Sequence, residues 1–269
     1  AVLTNVYSDQ LDRFNDPDDV IAMLKQIGSA AKVVVLNIDD KNLAQLEFSA
    51  PVIGFGLSAE MAKTRKANYA LNFGTHPAID AITEAGKDSI MVHSEGETKY
   101  ATTSLPEHQA LNLSAAVAAL HQLIQPSGRI IGAVLKGLKP VFARNEKVEV
   151  SGVVVTIRLV QNPTSFQLNL DELVPDQAPL MFMAGRDIHD PSWLWTVDFS
   201  KIKKVDIVGG FNANELALRL AFDGVEVGVV IEDATAAADS FLALPGTGHT
   251  LLFSADAMRR VRRHWGLAK

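Results

Sequence analysis

The sequence predicts a two-domain α/β chain, with a parallel sheet in the first domain and a Rossmann-like layered domain after it. Short β-branched runs alternate with amphipathic segments of helical period along most of the chain, which is the order of βαβ units. The length of 269 residues suits two domains or one large one. The pattern changes near Gln161, after a predicted hairpin, and we place the domains at residues 1–148 and 149–269.

The first domain opens with helix, strand, helix and strand. Residues 16–27 have carboxylates in the first turn and apolar residues at helical spacing, so they predict an amphipathic helix. Residues 32–36 form a β-branched run that is typical of a buried parallel strand. A helix at 41–46 and a strand at 52–55 complete the unit and imply a right-handed crossover.

The rest of the first domain is less regular. Residues 58–79 show no clear period and predict an irregular connection. Beyond them the pattern predicts two strands, an alanine-rich helix, a second helix and a hairpin around Ser151-Gly152. These elements are expected at residues 89–93, 98–102, 112–124, 128–136, 146–150 and 153–160.

The second domain begins with a capped helix and continues as a strand and helix alternation. The turn at Asn162-Pro163 leads into a helix at 166–173, with Thr164 or Ser165 as its cap. Four strands separated by three helices follow, as in a layered domain. The strands are expected at 179–183, 204–208, 226–231 and 250–253, and the helices at 212–222, 235–242 and 255–264.

Composition describes an ordinary globular protein and excludes several function classes. Hydrophobic residues make up 48% and charged residues 21%, which excludes a disordered or collagen-like chain. The net charge of −6 argues against a nucleic-acid binder, and a solvated helix face explains the arginines between Arg259 and Arg263. Because cysteine is absent, disulfides, thiolate zinc sites and a cysteine nucleophile are excluded.

The ends and the hydropathy of the chain give its expected location. No apolar run approaches the roughly 20 residues that span a bilayer, and nothing resembles a signal peptide. We therefore expect a cytoplasmic protein without a transmembrane segment. The chain starts at Ala1 in a stretch typical of a domain interior, so we expect that an upstream part was trimmed or is missing.

Polar residues follow the first predicted strand of the sheet. Asn37, Asp39 and Asp40 lie at its carboxyl end, which is where open α/β sheets bind ligands. Carboxylates at this edge could coordinate magnesium or hold a nucleotide. The alternative is a capping and turn cluster before the next helix.

Three further motifs allow a ligand-binding and a structural interpretation. His108 and Asn112 could reach an adenine or ribose, or could simply open the alanine-rich helix. Arg144 could clamp a phosphate bidentately, or form a surface ion pair with Glu146. The Gly209-Gly210 turn could bind an anion at a helix N-terminus, but a tight strand-to-helix turn is the favoured interpretation.

The segment Asp187–Phe199, called the tryptophan segment below, concentrates carboxylates, a histidine and two tryptophans in a loop-like stretch. Such concentrations usually mark functional surface. Trp193 and Trp195 alternate, so one is expected to face the core and the other outward. Asp187 and Asp190 could cap or pair locally. An exposed carboxylate among rigid aromatics also suits the orientation of a partner's histidine.

Motifs along the chain resemble those of one protein family. TNVYSDQLDR at 4–13 resembles TN(L/V)(F/Y)RDQLDR, LNIDD at 36–40 resembles LNADDP, LPEHQALN at 105–112 resembles GxHNxxNxxAA, ARNE at 143–146 resembles GRxE, QNPTSF at 161–166 resembles KNPAGF, and DIHDPSWLW at 187–195 resembles DGRDVSWIW. The family is MurT, the Mur ligase-like subunits of lipid II isoglutaminyl synthase. The resemblance covers nearly the whole chain, and its second-domain motifs are specific to this family.

The resemblance implies a Mur ligase middle-domain-like, ATP-binding first domain and a MurT C-terminal α/β domain that docks a glutaminase. It implies ATP- and Mg²⁺-dependent amidation of the D-glutamate α-carboxylate in the lipid II stem peptide to D-isoglutamine. The ammonia would come from a GatD-type glutaminase subunit in a heterodimer, whose own cysteine and histidine are nucleophile and base. The absence of cysteine here is consistent with that division of labour.

Matching by motif assigns roles to particular residues. Asp190, with Asp187 second, would orient the partner's histidine and complete the triad across the interface. The nucleotide site would be formed by residues of the first domain and the domain junction. His108 and Asn112 would lie beside adenine, Arg144 near ribose or phosphate, and Asn37 and Asp39 near the nucleotide or metal.

Two departures from the family pattern leave alternatives open. The glycine-rich phosphate loop ending in Gly-Lys-Thr does not occur in the sequence, and residues 58–79 lack the four cysteines of the family's zinc ribbon. A chain that began at Ala1 would not be expected to cradle ATP in the usual way. The alternatives are a non-catalytic scaffold that activates a glutaminase, and a stand-alone Mur-type amino-acid ligase.

Overall fold

A computed structural model gives the fold of the chain as two compact units. One unit contains the described residues up to 138 and the other contains those from 144 onward. Each unit contains a six-stranded sheet dominated by parallel pairs, which confirms the predicted α/β class. The described residues are 1–6, 16–63, 81–93, 97–102, 107–124, 127–138, 144–174 and 176–267.

The first unit is built on a sheet whose strands follow one another in chain order. Its described strands are β1 (Val2–Leu3), β2 (Val34–Asn37), β3 (Val52–Leu57), β4 (Ala81–Ala85), β5 (Ser89–His93) and β6 (Glu97–Ala101). Its described helices are α1 (Pro17–Ser29), α2 (Ala59–Lys63), α3 (Glu107–Leu123) and α4 (Gly128–Lys136). Pairing is parallel from β1 to β4 and antiparallel from β4 to β6.

The local sequence explains the best-defined elements of this unit. Asp16 caps α1 by accepting a hydrogen bond from the Asp18 backbone N–H at 2.9 Å, and a proline opens the helix. Strands β2 and β3 are buried along their whole length, as the predicted apolar runs require. The small residues of α3 allow that helix to pack closely on the sheet core around Phe55 and Ile90.

Several expectations for the first unit were wrong. Residues 41–46 form turns rather than a helix, because the Asp40 carboxylate accepts the backbone N–H groups of Asn42 and Leu43 and closes the chain locally. Helix α3 begins at Glu107, before the predicted start at 112. Strands β1 and β4 were not predicted. Of the connection expected at 58–79, residues 59–63 form α2, and the part from 64 lies outside the described residues.

The second unit contains the predicted strands and helices. Its described strands are β7 (Arg144–Val150), β8 (Val153–Leu159), β9 (Leu180–Met183), β10 (Lys204–Gly209), β11 (Glu226–Ile231) and β12 (His249–Phe253). Its described helices are α5 (Pro163–Asp171), α6 (Ala213–Phe222), α7 (Ala234–Leu242) and α8 (Ala255–His264). A short 3₁₀ helix at Pro191–Thr196, which was not predicted, lies within the tryptophan segment.

The strand order of the second sheet determines where a site can form. The order is β11-β10-β9-β12-β8-β7, and every pair is parallel except β7 with β8. From β9 the chain adds β10 and β11 on one side and then returns to place β12 on the other. The order therefore reverses at β9, and the crevice beyond the carboxyl ends of β9 and β12 is the position at which such sheets bind ligands. The tryptophan segment begins four residues after the last residue of β9, at this edge.

Two details of the second unit differ from expectation. Asn162, not Thr164 or Ser165, is the N-cap of α5, and it forms a reciprocal capping box with Ser165. Arg262 is buried and its guanidinium lies 2.9 Å from the Glu146 carboxylate, so the arginine cluster of α8 is not wholly a solvated face.

No helix among the described residues is both long enough and apolar enough to cross a bilayer.

Candidate functional site

Asp190 lies on the surface at the start of the 3₁₀ helix. Its Oδ1 accepts a hydrogen bond from the Ser192 backbone N–H at 2.9 Å, so it is the N-cap of that helix. Hydrogen bonding to Ser192, from the side chain first and then from the backbone, lowers the pKa of the Asp190 carboxyl. The side chain is therefore an exposed, ionised carboxylate at neutral pH with its position fixed by a local turn.

The Asp187 carboxylate forms hydrogen bonds within the second unit. Its carboxylate accepts hydrogen bonds from the Ser254 hydroxyl at 2.6 Å and from the backbone N–H groups of Ala255 at 2.8 Å and Asp256 at 3.0 Å. These groups open helix α8, whose first N–H groups have no partner within the helix. Asp187 thus occupies the anion position at the α8 N-terminus, in the crevice between β9 and β12.

The two aspartates of the tryptophan segment therefore have different environments. The alternative of a local cap is confirmed for Asp190, whose carboxylate accepts the Ser192 N–H within its own turn. It is wrong for Asp187, which caps α8 at residues 67 to 69 positions further along the chain. Asp187 is half-buried and accepts three hydrogen bonds, whereas Asp190 is exposed. Asp190 is therefore the more accessible of the two to another protein.

The two tryptophans divide between core and surface, as predicted. Trp193 is 8% exposed, and its ring lies 6.3 Å from that of Phe166 in the core of the second unit. Trp195 is 47% exposed and stacks edge-on with Phe222 of α6 at 5.1 Å. Phe222 is 73% exposed, and Leu218, one helical turn earlier, is 65% exposed. Trp195, Leu218 and Phe222 form an apolar surface, called the aromatic patch below.

The Gly209-Gly210 turn has a packing role. Gly210 has φ of +93°, and a Cβ there would lie 2.5 Å from the carbonyl oxygen of Ala184. The Asn212 backbone N–H donates to that same carbonyl at 2.9 Å. The favoured interpretation of a tight strand-to-helix turn is confirmed, because the turn packs against the loop that follows β9.

A small cavity lies at the carboxyl ends of β9, β10 and β11. Its volume is about 110 Å³, and Arg186, Asp233 and Arg260 are among the residues that line it. Ligand pockets usually measure about 300–1,000 Å³. This cavity is too small for a nucleotide.

In the first unit, Asn37 is buried and hydrogen-bonded within the fold. Its amide N–H donates to the carbonyl of Thr4 at 2.7 Å, and its amide oxygen accepts the Asp39 N–H at 3.0 Å. Asp39 is buried too, and its Oδ2 accepts the Leu57 backbone N–H at 2.7 Å. Both side chains join the carboxyl ends of neighbouring strands, which agrees with the turn-cluster alternative.

Asp40 completes this cluster. Its Oδ2 accepts the Val6 backbone N–H at 2.8 Å, and its Oδ1 accepts the N–H groups of Asn42 and Leu43. Among the described residues, no group of three or more His, Asp or Glu side chains is arranged to hold a metal ion.

The remaining candidates for nucleotide binding lie in different units. His108 and Asn112 are four residues apart in the first turns of α3, so they share a helix face, and Asn112 is exposed. Arg144 opens β7 in the second sheet, and nothing is described of its side chain. Glu146, the residue considered as an ion-pair partner of Arg144, lies 2.9 Å from the Arg262 guanidinium.

Sequence reasoning missed three residues that contact the tryptophan segment from α6 and its ends. They are Asn212, Arg219 and Asp223. Their signal was weak: a polar residue recurs at 212, 219 and 223, at intervals of seven and four, so that all three lie on one helix face. A polar residue on the buried face of a helix indicates a specific partner.

Two family models match separate parts of the chain. The Mur ligase middle domain matches residues 1–120, and the MurT ligase C-terminal domain matches residues 159–251. The second match includes the whole tryptophan segment and helix α6.

Curated relatives are similar over most of this chain. The subunit MurT of lipid II isoglutaminyl synthase (glutamine-hydrolyzing) from Staphylococcus aureus (strain COL) is 23% identical over 273 residues, covering 86% of this chain and 62% of the relative. The corresponding subunit from Streptococcus pneumoniae is 23% identical over 268 residues, covering 83% and 59%. The chain thus spans about three fifths of the length of these relatives.

The solved structures with a similar fold include a pseudomurein peptide ligase and a MurF ligase. A pseudomurein peptide ligase type C from Methanothermus fervidus has a TM-score of 0.70 at 15% identity, covering 97% of this chain and 61% of that one. MurF ligase from Thermotoga maritima in complex with ADP has a TM-score of 0.64 at 17% identity, covering 99% and 60%. These similarities show the fold.

Proposed function

We propose that the chain, whose two parts match the Mur ligase middle domain and the MurT ligase C-terminal domain, is a MurT-type subunit that serves in glutamine-dependent amidation of lipid II. Residues 1–148 are assigned to the nucleotide-dependent half and residues 149–269 to glutaminase docking. The observation that carries the proposal is Asp190, an exposed and ionised carboxylate on a rigid turn.

The proposed reaction joins two chemical steps. A carboxylate is a poor electrophile, so the D-glutamate α-carboxylate would attack the γ-phosphorus of ATP, releasing ADP and giving an acyl phosphate. Ammonia would then attack the acyl carbon, expel phosphate, lose a proton and leave the amide. Glutamine hydrolysis on a GatD-type partner subunit would supply the ammonia.

Asp190 has the properties that the glutaminase half needs. A triad aspartate accepts a hydrogen bond from the histidine ring, fixes its tautomer and stabilises the imidazolium formed when the thiol is deprotonated. The chain contains no cysteine, which is consistent with a glutaminase nucleophile and histidine supplied by the partner. The exposure of Asp190 supports a role across an interface, and the three hydrogen bonds of Asp187 argue against that role for Asp187.

The nucleotide half has weaker support from individual residues. Asn112 is exposed on the same face of α3 as His108, and this arrangement fits contact with an adenine edge. Asn37 and Asp39 do not fit as direct ligands of Mg²⁺ or phosphate, because both are buried and hydrogen-bonded within the fold. We assign these two residues to shaping the edge of the sheet.

The experiment that tests the proposed function uses the intact protein with its glutaminase subunit, glutamine, Mg²⁺-ATP and lipid II. Glutamate, ADP and amidated lipid II are measured together. We expect ADP and amide to form in equal amounts. Glutamine hydrolysis without ADP or amide would favour the scaffold alternative. ADP formation coupled to amino-acid addition, without any partner, would favour a Mur-type ligase.

The aromatic patch provides a separate prediction about docking. Phe222 of α6 contacts Trp195 of the 3₁₀ helix that Asp190 caps, and aromatic residues are typical interface hot spots. We expect Phe222→Ala to raise the Kd for the glutaminase subunit about 10- to 100-fold. Titration of the subunit by calorimetry measures this change.

Leu123→Ala is the control for the docking prediction. Leu123 is 79% exposed at the end of α3 in the first unit, so its removal deletes a similar apolar surface outside the docking domain. Equal Kd values for Phe222→Ala and Leu123→Ala would show that the aromatic patch does not belong to the interface.

A further inference from the structure

Residues of helix α6 and its caps form hydrogen bonds with the backbone near both ends of the tryptophan segment. The contacts come from its N-cap, Asn212, from Arg219 in its last turn, and from Asp223 at its C-cap. Asn212 and Arg219 are 7% and 6% exposed, so both polar groups are buried against the segment they contact.

Asn212 holds the start of the segment. Its side-chain amide donates to the carbonyl of Gly185 at 2.9 Å and to the carbonyl of Ile188 at 3.0 Å. These two carbonyls bracket Asp187, and Ile188 lies two residues before Asp190. The single amide thereby fixes the direction in which the chain enters the Asp190 turn.

Arg219 holds the other end. Its Nε donates to the carbonyl of Leu194 at 3.3 Å, and its Nη2 donates to the carbonyl of Val197 at 2.7 Å. Its Nη1 forms an ion pair with Asp223, whose carboxylate also accepts the Phe199 backbone N–H at 3.0 Å. Hydrogen bonding to Arg219 is the main cause that lowers the pKa of Asp223, so this carboxylate remains ionised.

The same guanidinium also lies under the aromatic patch. Its centre is 5.2 Å from the ring of Trp195 and 5.9 Å from that of Phe222. Arg219 therefore contacts both the backbone of the 3₁₀ helix and the apolar surface beside it.

We propose that Asn212 and Arg219 are positioning residues that set the place of Asp190 for the histidine of the glutaminase subunit. The inference rests on the proposed function of Asp190. Asp190 itself is exposed, so its position depends on the backbone on either side of the turn. Asn212 anchors the residues before Asp190, and Arg219 anchors the 3₁₀ helix that follows it. A triad hydrogen bond depends on distance and angle, and a displacement of about 1 Å can cost about 100-fold in rate.

The test measures glutamine hydrolysis in the intact complex at saturating glutaminase subunit. Asn212→Ala removes both donors, and Arg219→Lys keeps the positive charge near Asp223 but lacks the planar fork that reaches two carbonyls. We expect each variant to lower kcat about 10- to 100-fold. The KM for glutamine should stay unchanged, because glutamine binds on the partner. The Kd between the subunits should stay unchanged in Asn212→Ala, because Asn212 contacts Gly185 and Ile188 and not the aromatic patch.

Further variants separate positioning from folding. Asn212→Ser retains one donor and should recover part of the rate that Asn212→Ala loses. Asn214→Asp is a control on the exposed side of α6. The Asn214 side chain donates a hydrogen bond to Glu232 at the surface, and we expect this variant to have a wild-type rate. Circular dichroism at the assay temperature measures the folded fraction of each variant. Each hydrolysis rate is then divided by that fraction.

The outcomes distinguish this inference from the proposed function. A lower kcat per folded complex, at saturating glutaminase subunit and constant KM, supports positioning. Wild-type kcat in Asn212→Ala and Arg219→Lys, together with an inactive Asp190→Asn, overturns the positioning role and leaves the function of Asp190 standing. Full activity of Asp190→Asn overturns both. A rate loss that is fully explained by a lower folded fraction assigns Asn212 and Arg219 to stability. A rate loss that is fully explained by a raised Kd assigns them to docking, and either result overturns the inference.

Discussion

Asp190→Asn is expected to lower glutamine hydrolysis by the complex about 1,000- to 10,000-fold, the size of effect seen when a triad aspartate is neutralised. The amide keeps the size of the side chain and an oxygen that accepts the Ser192 N–H, so the turn should persist. It loses the negative charge that stabilises an imidazolium and can present an N–H where the histidine N–H requires an acceptor. The subunits should therefore remain associated while hydrolysis is lost.

The rate is measured as glutamate release, and association as comigration of the two subunits in gel filtration. Asp198→Asn is the matched control. Asp198 belongs to the same segment and also accepts the N–H of a serine two residues later, Ser200, at 2.9 Å. It differs from Asp190 in being half-buried, so a partner has less access to it. A wild-type hydrolysis rate in Asp190→Asn would refute the assignment.

The pH dependence gives a second check on Asp190. Its pKa is lowered, so the carboxylate is ionised down to a pH below the usual titration range of aspartate. Loss of hydrolysis as the pH falls through neutrality should then report titration of the partner's cysteine and histidine. The variants Asn212→Ala and Arg219→Lys should leave the Asp190-Ser192 hydrogen bond, and hence that ionisation, in place.

The fold was predictable where the apolar character of a segment indicates that it is buried. The apolar runs of β2, β9 and β12 require cover on both faces, and the structure buries all three. Strand β4 was missed because its sequence, Ala-Ile-Thr-Glu-Ala, is short and mixes polar with small residues. The helix expected at 41–46 failed because Asp40 competes for the N–H groups that a helix would use.

The site was predictable only to the level of a segment. Composition identified the tryptophan segment, but the role of Asp187 depends on contacts distant in sequence. Ser254, which donates to Asp187, lies 67 residues away. The carbonyls that Asn212 and Arg219 contact lie 22 to 27 residues from them. No local pattern carries this information, since each residue alone is an ordinary helix cap or helix surface residue.

Asp187→Ala should lower the free energy of unfolding by about 2–4 kcal/mol, because three donors lose a charged acceptor at once. One of them is the hydroxyl of Ser254, which is fully buried and also accepts the Gly185 backbone N–H at 2.8 Å. The other two are N–H groups that open α8, where the helix dipole favours a negative charge. Urea unfolding followed by circular dichroism measures the change.

Asp233→Ala is the control for this loss, because Asp233 caps α7 from an exposed position and its removal should cost only about 1 kcal/mol. The two aspartates of the tryptophan segment are then separated by two different readouts. Asp187→Ala should reduce stability while the hydrolysis rate per folded complex changes much less than in Asp190→Asn. An unchanged free energy of unfolding with lost hydrolysis would instead transfer the triad role to Asp187. It would also mean that the Asp187 carboxylate binds only weakly at the α8 N-terminus. The three hydrogen bonds of 2.6 to 3.0 Å that this carboxylate accepts argue against such weak binding.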